Sequence, residues 1–360
     1  MKPRMLQLLR ESRGLSQTAL SKLSAVPQPT LSKVENGIGE LDGERAQAVA
    51  DALKYPLEAF DWPDEIFGFG SAAFHHRKQQ ALGTTTLQRI HADVNLVRMR
   101  ASRLLRGVEM SPRFPFPNFD VDEYGSPEEV ARAVRAAWRL PMGPVENMMR
   151  VLENAGAIVV RADLYSHRIS AISTSVPETP PLFILNQGMS ADRERFTLAH
   201  ELGHLVMHDI PAEAENAERE ADAFASEFLM PASEIWPQLL HMDLAKAAQL
   251  KRHWKTAMSA IIRRARDLGR IDERRYKSLN VQISQKGWRK IEPVEIEHEQ
   301  PTLIPQIIAL HHGQHQYAVG ELARLTGLFD EEYVERFNDY PQGGGLKLVG
   351  SVSDKRGSAS

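Results

Sequence analysis

Apolar residues recur at three- and four-residue intervals over residues 1–60, among them Leu6, Leu9, Leu20, Leu31, Val34, Val49, Leu53 and Phe60. That period predicts several short amphipathic helices. Leu15, Leu23, Val26 and Leu57 fall on the same pattern. Residues 61–82, with proline and glycine, break it and read as a linker. Residues 83–107 read as a long polar helix with a basic face. The Pro-rich SPRFPFPNF of 111–119 reads as extended chain. Ser126-Pro127-Glu128-Glu129 is a helix start: a hydroxyl cap, a proline in the first turn and a glutamate at the third position. That helix runs toward Trp138, and another spans Val145 to Ala155. AIVVR (157–161), ISAIS (169–173) and PLFILN (181–186) have the branched, apolar character of strands. Helical spacing returns over about 191–208, 215–229, 232–240 and 255–268. Residues 300–340 suggest two or three small helices, and the Gly/Ser-rich, charged tail after Gly343 reads as disordered.

Composition narrows the classes. A chain of 360 residues is long enough for two or three domains. No run of eighteen apolar residues exists, so no membrane span is expected. The first residues lack the apolar core of a secretory signal. There is no cysteine, which excludes disulfides and thiolate ligands and fits a reducing cytoplasm. Net charge is −3, so bulk charge does not mark a polyanion binder. The cations are clustered instead: Arg98, Arg100, Arg103 and Arg106 in one stretch, Lys251 through Arg270 in another.

The chemistry gathers in FTLAHELGHLVMHD, residues 196–209. His200 and His204 are four apart and share one helix face. Together they can present two imidazoles to one Zn²⁺, with Glu201 beside the open coordination position as proton acceptor. Without cysteine, the third ligand must be His, Glu or Asp. Glu218 and Asp222 are one turn apart on the next helical stretch, 217–231. Glu218 is the candidate ligand, Asp222 the candidate acceptor for the second N–H of a ligand histidine, and Glu220 the alternative ligand. His208 lies on the same face and could touch substrate or transition state. PLFILN, just before the helix, is the expected edge strand for an extended peptide.

Near the N-terminus, RGLSQTALSKLSAVPQPTLSKVENG (13–37) reads as helix, turn, helix. Ser16 caps the first helix and Gly37 ends the second. Gln28, Thr30, Ser32 and Lys33 lie on the second helix, where Gln suits adenine, Thr a thymine methyl, and Lys a phosphate or guanine. Gln17 stands at a helix N-terminus suited to phosphate.

These stretches resemble two known families. Residues 4–60 closely resemble XRE (Cro/repressor-like) helix-turn-helix domains through RGLSQ, LSKVENG and ALKYPLEAF. Two departures are Ala25, where the family usually has Gly at the turn, and Pro29 inside the recognition helix. Residues 120–290 resemble the ImmA/IrrE zinc metallopeptidases through RFTLAHELGHLVMH, EREADAFASEFLMP and WKTAMSAIIRRARDLGRI. The resemblance implies Glu218 as the third ligand and a protein substrate, a transcriptional repressor in a stress or mobile-element response. It also implies double-stranded DNA as a partner of residues 1–60, with pairing of like domains into a homodimer.

The expected fold is therefore mostly α with a small β-sheet. A helix-turn-helix domain (1–65) precedes a linker and basic helix (66–119). A zincin-like α+β metallopeptidase domain (120–290), a helical C-terminal region (291–342) and the tail (343–360) follow. The expected function is DNA-linked zinc endopeptidase, with one Zn²⁺ per chain. The competing reading is a transcription regulator or antitoxin-like repressor whose zinc domain senses a signal or is inactive.

Overall fold

The computed structural model describes residues 1–68, 82–110, 112–117, 119, 121–207 and 214–337. His208 and the whole tail (343–360), with the disorder expected of it, fall outside these residues, as does much of the linker. The chain divides into two compact units. The described residues of the first are 1–68, 82–110 and 302–337; those of the second lie within 112–301.

The first unit opens with α1 (Pro3–Ser12), α2 (Gln17–Ser24), α3 (Gln28–Glu35) and α4 (Gly43–Leu53). Ser16 caps α2 by accepting the Ala19 N–H at 3.1 Å. Ala25 closes it in the left-handed region at φ 57, where Gly would be unstrained. Leu6, Leu20, Leu31, Val34 and Leu53 form the core as their spacing predicts, but Leu23 is 62% exposed. An ion pair from Arg10 to Glu35 (2.7 Å) fastens α1 to α3.

The long helix α5 (Thr84–Leu104) is where the basic-face expectation fails. Arg98, Arg100 and Arg103 are all buried. Arg98 bonds the Glu65 carbonyl and covers the Phe67 ring. Arg100 donates to the Thr326 carbonyl at 3.0 Å. Arg103 pairs with Asp64 at 2.6 Å and lies 3.8 Å over the Trp62 ring. Burial pushes all three guanidinium groups down from their ordinary value, yet fixed carbonyls, a carboxylate and aromatic faces replace their water. Arg106, just past the helix, is exposed, but the three arginines within α5 are internal and give it no basic face.

In the second unit, α6 (Val121–Tyr124) and α7 (Pro127–Ala137) precede α8 (Met148–Asn154). Ser126 caps α7 as its motif predicts, accepting from the Glu129 N–H at 3.2 Å. Three strands follow: β1 (Ile158–Ala162), β2 (Ala171–Thr174) and β3 (Leu182–Asn186), in the order β1-β3-β2. β1 runs parallel to β3 with Ile158 opposite Leu182; β2 runs antiparallel with Ala171 opposite Leu185. PLFILN is thus the central strand, hydrogen-bonded on both sides and closed to a peptide. The open edge near the histidine helix belongs to β2. All of β3 is buried, so its alternation carried no sign of edge or centre.

Next come α9 (Ala191–Met207) and α10 (Ala214–Leu229), the pair that holds the site. Leu198, Leu202 and Val206 of α9 pack with Phe224 and Phe228 of α10 and with Phe183 of β3 in one core. Emptying either phenylalanine would cost about 3–5 kcal/mol. Gly203 sets how near the two helices come: a Cβ there would meet the Phe224 ring at 3.1 Å and the Ala221 Cα at 3.3 Å. Beyond them lie α11 (Ala232–Ile235), a 3₁₀ turn at Trp236–Leu239 containing Pro237, α12 (Leu244–Trp254), α13 (Met258–Asp267) and α14 (Glu273–Gln285). The helix expected from 255 begins at Met258, because Lys255 (φ 53) terminates α12 in the left-handed region. Residues 292–300 then cross the unit as an acidic strap. Glu299 pairs with the buried Arg195 of α9 and caps α8 through the Met148 N–H at 2.6 Å. Glu292 and Asp192 share the buried Lys251.

The chain re-enters the first unit with α15 (Leu303–Gly313), α16 (Val319–Leu325) and α17 (Asp330–Phe337), three small helices as the spacing suggests.

Candidate metal centre

α9 projects His200 and His204 from successive turns, and their Nε2 atoms stand 3.1 Å apart. Glu218 of α10 brings Oε1 to 3.5 Å from the first and 3.3 Å from the second. Two donors bound at about 2.0–2.1 Å to one tetrahedral Zn²⁺ are separated by about 3.3 Å. The triangle formed by these three atoms therefore fits such an ion with a fourth direction open, and all three donors are imidazole or carboxylate. Glu220, the alternative, is not among the converging side chains. Among the described residues this is the one cluster of three ligand-type side chains.

The surroundings orient the donors. Asp222, one turn beyond Glu218, accepts from His200 Nδ1 at 3.0 Å, which turns Nε2 toward His204 and Glu218. Arg263 of α13 holds the other Asp222 oxygen at 3.1 Å. Burial opposes charge on both members of the His200–Asp222 pair, but their mutual hydrogen bond outweighs it. Asp222 is held below the usual carboxylate range, with Arg263 assisting. His200 is pushed up to about 9, with Glu218 and Glu201 adding to the effect of Asp222. Two imidazoles among three carboxylates make a pocket that attracts positive charge.

Glu201 is buried on the adjacent face of α9 and accepts a 2.6 Å hydrogen bond from Ser173 Oγ. Ser173 lies on β2, so the carboxylate is fixed against the open-edged strand. Sequence reasoning missed Ser173. A lone serine in an apolar strand carries no spacing signal, and its meeting with Glu201 depends on the sheet order.

On the helix-turn-helix, Lys33 is exposed, whereas Gln17, Gln28, Thr30 and Ser32 are half-buried. Gln17 donates to Glu35 at 2.7 Å, and Gln28 donates to Gln17 at 2.8 Å. These two glutamines are thus ordered by a network that ends in the Arg10–Glu35 pair. Pro29 is the second residue of α3, where a missing N–H breaks no helical bond.

Family comparisons agree with this division. Residues 6–60 match the helix-turn-helix family, and residues 152–266 match the IrrE N-terminal-like domain, a peptidase family. The chain thus joins a region similar to DNA-binding helix-turn-helix domains to a region similar to a metallopeptidase family. Specifically, the first region matches the XRE type of helix-turn-helix and the second the ImmA/IrrE type of domain. No curated protein matches the chain. Among the described residues no helix is long and apolar enough to cross a membrane.

Proposed function

We propose that the chain is a zinc-dependent endopeptidase whose helix-turn-helix domain brings it to DNA or to a repressor of the same class, which it cleaves. Residues 1–65 serve as the reader and 120–290 as the peptidase domain. The observation that carries this reading is the His200–His204–Glu218 triangle with Glu201 beside it. A structural zinc site has no use for a buried carboxylate next to its open direction. His200, His204 and Glu218 hold the metal, which when bound supplies Lewis acidity to polarise a peptide carbonyl. Glu201, held by Ser173, takes the proton of the attacking water and delivers it to the leaving amine. The open edge of β2 pairs with the substrate backbone and keeps the scissile bond extended beside Glu201. Asp222 fixes the His200 tautomer.

The test is cleavage by wild type and Glu201→Gln, each assayed for metal by elemental mass spectrometry. The variant should retain about one zinc and lose activity by roughly 10²–10⁴-fold. Equal cleavage by both would remove Glu201 from the mechanism. For the reader, Lys33→Ala should weaken DNA binding and reduce the salt slope by about one. Gel shifts unchanged across salt would remove that contact.

A further inference from the structure

A groove of about 1290 Å³ on the second unit takes no part in the chemistry above. One wall is α9, contributing Arg193 and Phe196; Phe196 lies one turn before His200. The facing wall is α14, where Lys277 and Val281 are four apart, and residues 288–298 close the third side. One end reaches the metal cluster: Arg263 lines the groove and also donates to Asp222 at 3.1 Å. Arg193 donates to Ser170 at 3.0 Å, the residue before β2. The groove thus begins where a strand laid along β2 would leave the site.

Its charge is lopsided. Six cations line it against three carboxylates. Two of those carboxylates, Asp192 and Glu292, are already taken by the buried Lys251 at 2.6 and 2.8 Å. Of the other five cations, Arg263 is paired with Asp222 and Lys277 lies 3.7 Å from Glu273, which leaves Arg193, Arg289 and Lys290 against Glu295. A concave surface with an excess of positive charge draws in the opposite charge. Between the cations are exposed aliphatic side chains: Val281 is 53% exposed and Ile291 81%. The volume exceeds the roughly 300–1,000 Å³ of small-ligand clefts.

We propose that this groove holds an extended segment of the protein substrate rich in Asp or Glu and in Leu, Ile or Val, leading away from the scissile bond. The proposal rests on the peptidase reading for what happens at the other end of that segment. A protein strand fits better than nucleic acid: the exposed aliphatic side chains of Val281 and Ile291 reward apolar side chains, which a run of phosphates does not supply.

Binding tests this without turnover. Zinc-loaded Glu201→Gln protein is titrated into labelled decapeptides: one acidic and aliphatic, one with Asn/Gln for Asp/Glu, one with Lys. A single-stranded oligonucleotide of equal length is the fourth probe. The acidic peptide should bind at least tenfold more tightly than its neutral counterpart and lose affinity as salt screens the charges. Adding Lys277→Glu and Lys290→Glu, both at exposed positions, should erase that preference while zinc content and circular dichroism stay unchanged. Equal binding of acidic and neutral peptides, or tighter binding of the oligonucleotide, overturns the proposal. Wild-type cleavage of the same peptides separates the two readings. Preference without cleavage upholds the groove and removes the peptidase, and cleavage without preference does the reverse.

Discussion

Two pairs of histidines four residues apart bring ring nitrogens to 3.1 Å of each other, one pair within α9 and one at the C-terminal end of α15. On α9, His200 and His204 meet a carboxylate from α10, and the far nitrogen of His200 is bonded to Asp222. At the end of α15, His311 in the last turn and His315 just past the helix meet none that completes a three-ligand cluster among the described residues. His311 is 1% exposed, donates from Nε2 to the Leu104 carbonyl at 2.6 Å, and stacks on Tyr317 at 5.4 Å. The same spacing thus serves a ligand cluster in one unit and a structural joint between α15 and α5 in the other. Two histidines four residues apart provide two ring donors; what packs against them decides what they do.

The contrast can be broken most forcefully at the third ligand. Glu218→Ala should lower zinc affinity by more than the roughly hundredfold loss typical of an outer partner, whereas His311→Ala should leave zinc per chain unchanged. Elemental analysis of both variants checks this. Equal losses would make the pairs equivalent.

Asp222→Asn should weaken zinc binding about 10–100-fold by loosening the His200 tautomer. Competition with a chromophoric chelator measures it, and wild-type affinity would mean that Arg263 and the helix suffice. For the structural pair, His311→Ala should destabilise the first unit by about 1–3 kcal/mol through a lost buried hydrogen bond and ring contact. Thermal melting with and without chelator separates this from any metal effect.

The smallest effect concerns Glu332 of α17, which holds Arg13, the residue just past α1, at 2.9 Å. Burial raises its carboxyl, but the hydrogen bond and charge of Arg13 prevail and hold it below the ordinary 4.5. A carboxyl depressed in the folded state adds stability above its unfolded value and loses it as pH falls through the folded one. Glu332→Gln should therefore cost a few tenths of a kcal/mol at neutral pH, and the difference from wild type should vanish in acid. Melting curves from pH 7 to 3 would reveal a constant difference if the pair contributed nothing.

Much of the local structure was legible from residues alone. Ser16 and Ser126 cap the helices that their motifs announce, and Ala25 adopts the strained turn that its position demands. The facing of His200 and His204 follows from helix period. Less was legible where packing chooses among equals. The strand PLFILN became the centre of its sheet, Leu23 turned outward, and three arginines read as a basic face turned inward. Each outcome depends on partners dozens of residues away, such as Asp64 and Thr326 for the arginines.

Sequence by itself determined the reader's helices, the two donors from α9, and the carboxylate candidates on α10, because caps, turns and helical period act over a few residues. Tertiary structure decided which acid joins the histidines, through an approach of α9 and α10 that the missing side chain of Gly203 permits. It also decided that Ser173 holds Glu201 and that the arginines of α5 are internal. Those choices are made by long-range packing, where burial is tolerable for a polar group only if a distant partner replaces its water.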